Sequence, residues 1–292
     1  MLYAIHNESM KVSQFHPCFA DSAMGRFGRL HLPVSESCNI RCRFCNRAFN
    51  SIENRPGVTG GILDASEAVA TVRRALELCR EITVIGIAGP GDALASDSAI
   101  KALRAVHGEF PRLIKCVSTN GLMLPERADE LAEAGVSALT VTINAVAPDI
   151  AERVVSYIDF DGRRMTGREM GETLISRQLD GLSKAARTGV AIKVNAVLIP
   201  GINDRHVEDI AIAASRCGAE RFNIIPLIPQ HEFSHIEPPD CETLQRVRSA
   251  AERHIEVFRH CLHCRADACG VPGLSDFSGK LYGNEMETFS HG

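Results

Sequence analysis

Tryptophan is absent from the sequence, and aromatic side chains make up only 5% of it. With hydrophobic residues at 45%, that composition suits an α/β enzyme with an aliphatic core. No block of lysine and arginine stands out and the net charge is −4, which argues against nucleic acid as a partner. No apolar run approaches the length of a transmembrane helix, so no membrane association is expected. The N-terminus lacks the charged-then-apolar pattern of a secretory signal, which argues against a disulfide-stapled secreted chain. Cysteine, by contrast, is abundant, with 11 in 292 residues. In an α/β chain of this size without a signal, the excess points to metal sites in a cytoplasmic, oxygen-sensitive protein.

Hydrophobic patterning predicts alternating strands and helices. Leu30, Leu32 and Val34 alternate as a first strand. Further strands are expected at Ile82–Ala88, Leu113–Ser118, Ala138–Asn144, Val190–Val197 and Arg221–Leu227. Asp64 and Glu67 form a capping-box pattern ahead of a helix carrying Val69, Val72, Leu76 and Cys79. Other helices are expected around Glu126–Ala134, from about Glu172 to Arg187, up to Cys217 with a stop at Gly218, and from Asp240 to about Phe258. The charged, Gly-rich segment 156–171 reads as a loop, and residues 1–29 as an extended arm, with Pro17 disfavouring helix at His16. Strand and helix alternate six times, too few for a closed eight-fold barrel. The expectation is therefore an open, partial (β/α)6 TIM-like barrel over 30–258. The arm 1–29 and a cysteine-bearing tail, 259–292, are expected to close its mouth.

Cys38, Cys42 and Cys45 stand at C-x3-C-x2-C spacing just after the first strand, at the end where β/α barrels carry their chemistry. Thiolates are preferred ligands of iron–sulfur clusters. Three close cysteines would leave one iron of a four-iron cluster open to chelate S-adenosylmethionine and reduce its sulfonium, giving a 5′-deoxyadenosyl radical. Zinc normally wants a fourth nearby Cys or His. This spacing resembles the radical S-adenosylmethionine (radical SAM) superfamily. Gly89-Pro90-Gly91-Asp92, at the end of the second strand, would let backbone approach the methionine moiety closely. Asn120, Asn144 and Asn195, at later strand ends, are candidates for bonding the rest of that cofactor or for capping the strands. Glu53 and Arg55 are charged candidates for the pocket, with a surface pair as the alternative.

Among the other cysteines, Cys79, Cys217 and Cys241 read as structural. Cys261 and Cys264 form a C-x2-C pair, a metal-ligand spacing that needs partners from elsewhere. Cys18, His31 and Cys116 are candidates to complete further sites. His31 faces the barrel interior if Leu30 and Leu32 face outward; the alternative is a hydrogen-bonded core histidine.

The chain resembles the NifB family, radical SAM maturases that build the carbide-centred core of the nitrogenase cofactor. The resemblance runs from about His16 to Gly273. It is carried by His16-Pro17-Cys18, the segment from Leu32 to Cys45, Asn46-Arg47 with Asn54 to Val58, Gly86 to Asp92, Ser118 to Gly121, and Cys261 to Ala268. It implies a 4Fe-4S cluster that binds S-adenosylmethionine, and two further 4Fe-4S precursor clusters fused into one eight-iron, carbon-containing product. It places ligands of those precursors at Cys18, His31, Cys116, Cys261 and Cys264, and S-adenosylmethionine on Gly89 to Asp92 and the polar strand ends. Cluster donors and cofactor carrier or scaffold proteins of nitrogenase assembly are the implied partners. Many relatives have Cys where Ser51 stands, so no ligand role is carried there, and Cys269 is an extra thiol near the tail pair. Many bacterial relatives continue into a carrier-like domain that this sequence lacks, so hand-off through a separate protein or the barrel surface is expected. The rival readings are a radical SAM enzyme that modifies a peptide or small molecule, and a non-enzymatic iron–sulfur scaffold.

Overall fold

The computed structural model describes residues 11–283. Residues 1–10 of the expected arm and 284–292 of the expected tail lie outside them. The central sheet has six parallel strands: β1 (Gly28–His31), β2 (Ile82–Ile87), β3 (Ile114–Thr119), β4 (Val136–Thr142), β5 (Ala191–Leu198) and β6 (Arg221–Pro226). Short edge strands β7 (Glu256–Val257) and β8 (Cys269–Gly270) bring it to eight, in the order β7-β6-β5-β4-β3-β2-β1-β8. Strands consecutive in sequence are neighbours in space, as chained βα units require. Because β1 and β6 lie at opposite sides of that order, the barrel is open. Each two-residue edge strand leaves little unpaired backbone exposed.

Side chains alternate between two faces. Leu30 and Leu32, Ile85 and Ile87, Val117, Leu139 and Val141, Val194 and Ala196 pack outward against the helices in the main core. The helices supply their own stripes. In Ser98–Glu109 the buried set is Ala99, Ile100, Ala102, Leu103 and Val106, the spacing of one apolar face. The Asp64/Glu67 capping box is present and closes a 3-10 turn, Ala65–Glu67, before the helix Ala68–Leu78. Cys79 is the buried residue just past that helix, and Cys241 is exposed at the start of Cys241–Ala251.

Three expectations need correction. Segment 156–171 is not a loop: Val155–Phe160 and Arg163–Met165 form an antiparallel hairpin, turned by Asp161 and Gly162, both at positive φ. The last helix stops at Ala251, and 256–257 joins the sheet. Among the described residues, the arm does not close the mouth. Its one helical turn ends at Phe15, with His16 extended ahead of Pro17, and Phe19 then packs against Val84, Ile114 and Ala138. Those residues lie in the N-terminal halves of their strands, so the arm plugs the floor of the barrel and presents Cys18 upward. The tail closes one side: Cys269 and Gly270 pair with Leu30 and Arg29 on the free edge of β1. Cys269 is thereby buried in the main core near Cys79 rather than joined to Cys261 and Cys264.

Candidate functional site

The inward faces of the strands, the cysteine loop, the arm and the tail enclose one cavity of about 370 Å³, within the range of small-molecule sites. The loop carrying Cys38, Cys42 and Cys45 is held from four directions. Ile40–Cys42 pairs with Val155–Ile158 of the hairpin. The Gly91 N–H donates to the Ser35 carbonyl at 2.7 Å and the Asp92 N–H to the Ser37 carbonyl at 2.8 Å. Asn120 Nδ2 donates to Asn39 Oδ1 at 2.7 Å. Arg43 pairs with Glu232, and the Glu232 N–H donates to the Arg43 carbonyl.

The three thiols line this cavity together. Burial, then repulsion from Asp92 and Cys45, pushes the Cys38 thiol up to about 11. Burial, then the neighbouring thiols, pushes Cys42 up strongly, and burial raises Cys45. Thiolates crowded out of water in this way are stabilised by a cationic metal centre. Nδ2 of Asn39, inside the loop, is buried with no partner, a donor left for a ligand acceptor. Among the described residues no three His, Cys, Asp or Glu side chains converge as needed for a single ion. Three soft thiol donors on one loop fit a multi-iron cluster with three protein ligands.

Gly91 is a glycine for a different reason than the one read from the sequence. A Cβ there would meet the Ser37 carbonyl oxygen at 2.0 Å and the Ser35 oxygen at 2.9 Å, so the close approach is to the cysteine loop's own backbone. Asp92 is likewise occupied: buried, it accepts from Leu94 N–H, Thr119 Oγ1 and Asn120 N–H, and burial raises its pKa. Gly91→Val is accordingly expected to loosen the cysteine loop and to destabilise the fold by about 1–3 kcal/mol. Chemical denaturation and triplet iron content measure the two effects.

The strand-end asparagines divide. Asn120 and Asn144 line the cavity but also serve the fold: Asn120 Oδ1 accepts from the Leu122 N–H and Asn144 Oδ1 from the Val197 N–H at 2.8 Å. Asn195 lines the cavity beside Thr142 and Asn223, its Oδ1 accepting from Asn223 Nδ2. Arg55 is a buried lining residue. Glu53 is not: its side chain is 43% exposed, salt-bridged to Arg55 and bonded to Asn50. Those hydrogen bonds lower its pKa, which makes it a poor proton acceptor and the partner that positions Arg55.

Cys18, His31, Cys116, Cys261 and Cys264 all line the same cavity as the triplet. They converge from the floor, β1, β3 and the tail. His31 Nδ1 lies 2.8 Å from the Arg265 carbonyl; since a carbonyl only accepts, Nδ1 carries the proton and Nε2 is left as an electron-pair donor. Burial, then Arg29, lowers the His31 pKa to about 4, so the ring is neutral, as a metal ligand must be. Arg265 in turn pairs with Asp267 at 2.7 Å and donates to the carbonyls of Asn50 and Glu53, tying the tail to the segment after the triplet.

Sequence reasoning passed over Arg29, Lys193 and His16, all lining residues. Arg29 donates from Nε and Nη2 to Cys264 Sγ at 3.2 and 2.9 Å. Lys193 Nζ donates to the Cys18 carbonyl at 3.1 Å. The signal was strand alternation: Arg29 shares a face with His31, and Lys193 with Asn195.

A profile of the radical SAM superfamily matches residues 32–213. The FeMo cofactor biosynthesis protein NifB of Methanocaldococcus jannaschii is 40% identical over 290 residues, covering 96% of each chain. That of Methanocaldococcus infernus is 42% identical over 88% of this chain and 85% of its own. The Klebsiella pneumoniae protein of the same name is also 42% identical, over 88% of this chain but 57% of its own length. Among solved structures, Streptococcus suis SuiB superposes with a TM-score of 0.58 at 14% identity, over 80% of this chain and 50% of that one. A radical SAM methyltransferase from Sphaerobacter thermophilus gives 0.53 at 22% identity, over 79% and 65%. At those identities the likeness is one of fold.

Proposed function

The chain belongs to the NifB family of the radical SAM superfamily, and from that premise we propose that it is the maturase that builds the eight-iron core precursor of the nitrogenase cofactor. The observation that supports this most is the convergence of Cys18, His31, Cys116, Cys261 and Cys264 on the triplet's own cavity. An enzyme with one resident cluster has no use for five additional soft donors there.

In this reading Cys38, Cys42 and Cys45 hold the resident 4Fe-4S cluster, which when bound supplies the electron that cleaves S-adenosylmethionine to a 5′-deoxyadenosyl radical. Pro90 lines the cavity where the methionine moiety would sit, although Gly89 does not, and Gly91 and Asp92 fix that edge to the cysteine loop. Asn120, Asn144 and Asn195 face the remainder of the cofactor. The substrate is a pair of four-iron clusters held by Cys18, His31, Cys116 and the Cys261/Cys264 pair. S-adenosylmethionine bound beside the resident cluster would supply both the carbon, as a methyl group for a sulfide of the substrate, and the radical that takes hydrogen from it. The chain's part is to hold the partners in register and to exclude water, since a primary radical attacks whatever lies nearest. Arg55 borders the resident cluster loop as a fixed charge.

Iron–sulfur cluster donors and a cofactor carrier or scaffold are the partners this role requires. No helix among the described residues is long and apolar enough to cross a membrane. Anaerobic reconstitution with iron, sulfide and S-adenosylmethionine, followed by product analysis, tests the reading. It predicts 5′-deoxyadenosine, S-adenosylhomocysteine and an eight-iron product that activates cofactor-free nitrogenase once the remaining assembly proteins are supplied. Release of 5′-deoxyadenosine without any such product contradicts it.

A further inference from the structure

The cavity lining holds four cationic side chains, Arg29, Arg47, Arg55 and Lys193, against one carboxylate, Asp92, whose oxygens are already engaged by backbone and Thr119. Arg55 has Glu53 and Arg47 reaches the Glu36 carbonyl at the rim. The other two are deeper. Lys193 is 5% exposed and Arg29 8%, and neither makes an ion pair with a carboxylate among the described residues. The Lys193 ammonium has the Cys18 carbonyl and the faces of Phe19 and Phe258, at 4.9 and 5.4 Å. Arg29 has the Gly270 carbonyl and Cys264 Sγ.

Burying a cation without an anionic partner is among the costliest arrangements a fold can carry. Two such cations lining one cavity mean that the anion arrives with a ligand. His16 adds a second sign. It is 3% exposed, its Nδ1 accepts from the Cys18 N–H at 3.0 Å, and its Nε2 is buried with no partner. With Nδ1 accepting, Nε2 carries the proton, so it too is a donor without an acceptor. All three surround Cys18, the tail cysteines and His31.

We propose that Lys193 and Arg29 are the built-in counter-charges of an anionic, sulfide-rich cluster substrate, seated in the lower half of the cavity. The inference rests on the reading above that such a substrate binds there. Three thiolate ligands leave a four-iron cubane net anionic, and its sulfides accept hydrogen bonds from ammonium and guanidinium groups. Lys193 and Arg29 then act together: one neutralises the substrate from β5, the other from β1 through the Cys264 sulfur it already grips. The resident cluster lies at the opposite, C-terminal end of the strands and is served by other groups.

The test uses the full chain with Lys193→Gln, which keeps a hydrogen-bond donor and removes the charge, and Lys193→Arg, which keeps the charge. In iron-free protein, Lys193→Gln is expected to raise the melting temperature by about 2–4 °C, because an unpaired buried charge has gone. After anaerobic reconstitution the same variant should lose affinity for iron beyond the triplet's complement by about 10- to 100-fold. Its remaining non-triplet cluster should titrate at a lower reduction potential. Lys193→Arg should restore iron and potential. A Gln variant that melts lower when iron-free yet retains full iron at unchanged potential makes Lys193 a structural strut and overturns the proposal alone. Wild-type protein that takes up only the triplet's iron overturns the proposal together with the reading beneath it.

Discussion

Cys42→Ala protein is expected to lose reductive cleavage of S-adenosylmethionine by about 100-fold or more, beyond what removal of a mere supporting residue costs a metal site. Cys42 ends the strand that pairs with the hairpin at Val155, which fixes its backbone. Its thiol is pushed up by burial and then by Cys45 and Cys38. Alanine leaves the backbone pairing intact, and the five proposed cluster ligands stand on other elements: the floor, β1, β3 and the tail. Iron at those positions should therefore survive. The measurement is 5′-deoxyadenosine yield against iron per chain. Full cleavage by the variant would remove the triplet from the chemistry.

His31→Ala is expected to do the reverse. The triplet and its neighbours are untouched, so 5′-deoxyadenosine release should stay within about twofold of the parent, while eight-iron product falls about 10-fold or more. Nδ1 is held by the Arg265 carbonyl, and the neutral ring offers Nε2. Imidazole binds iron less tightly than thiolate, which suits a ligand that must hold a cluster and then release it for fusion. Pulsed electron paramagnetic resonance should find nitrogen coupled to a non-triplet cluster in the parent and not in the variant. Persistent coupling, or normal maturation, would make His31 a core histidine only.

The alternation of six apolar strands with helices was legible because each strand is buried on its outward face and long enough to carry a pattern, as Ile82–Ile87 does with all six residues buried. The edge strands 256–257 and 269–270 were not, since two residues carry no period. The hairpin after Val155 was hidden by its charged surface, although Asp161-Gly162 is a strong two-residue turn signal. The candidate ligands, which line one cavity, were legible from residue type and from the family motifs. The placement of the arm was not, because apolar Phe19 says that it is buried but not at which end. Glu53 failed as a pocket residue for a local reason: Asn50 and Arg55, three and two residues away, take its carboxylate first. Arg29 and Lys193 were overlooked because a charge in a strand usually faces water. In a half-open barrel the inward face is polar, and both charges line the cavity there.

The claim that one cavity serves three clusters is tested most directly by counting iron and acid-labile sulfide in the anaerobically reconstituted full chain, beside a variant with Cys38, Cys42 and Cys45 all changed to alanine. The account predicts about 12 iron atoms per chain in the parent and about 8 in the variant. About 4 in the parent, falling to none in the variant, would contradict it.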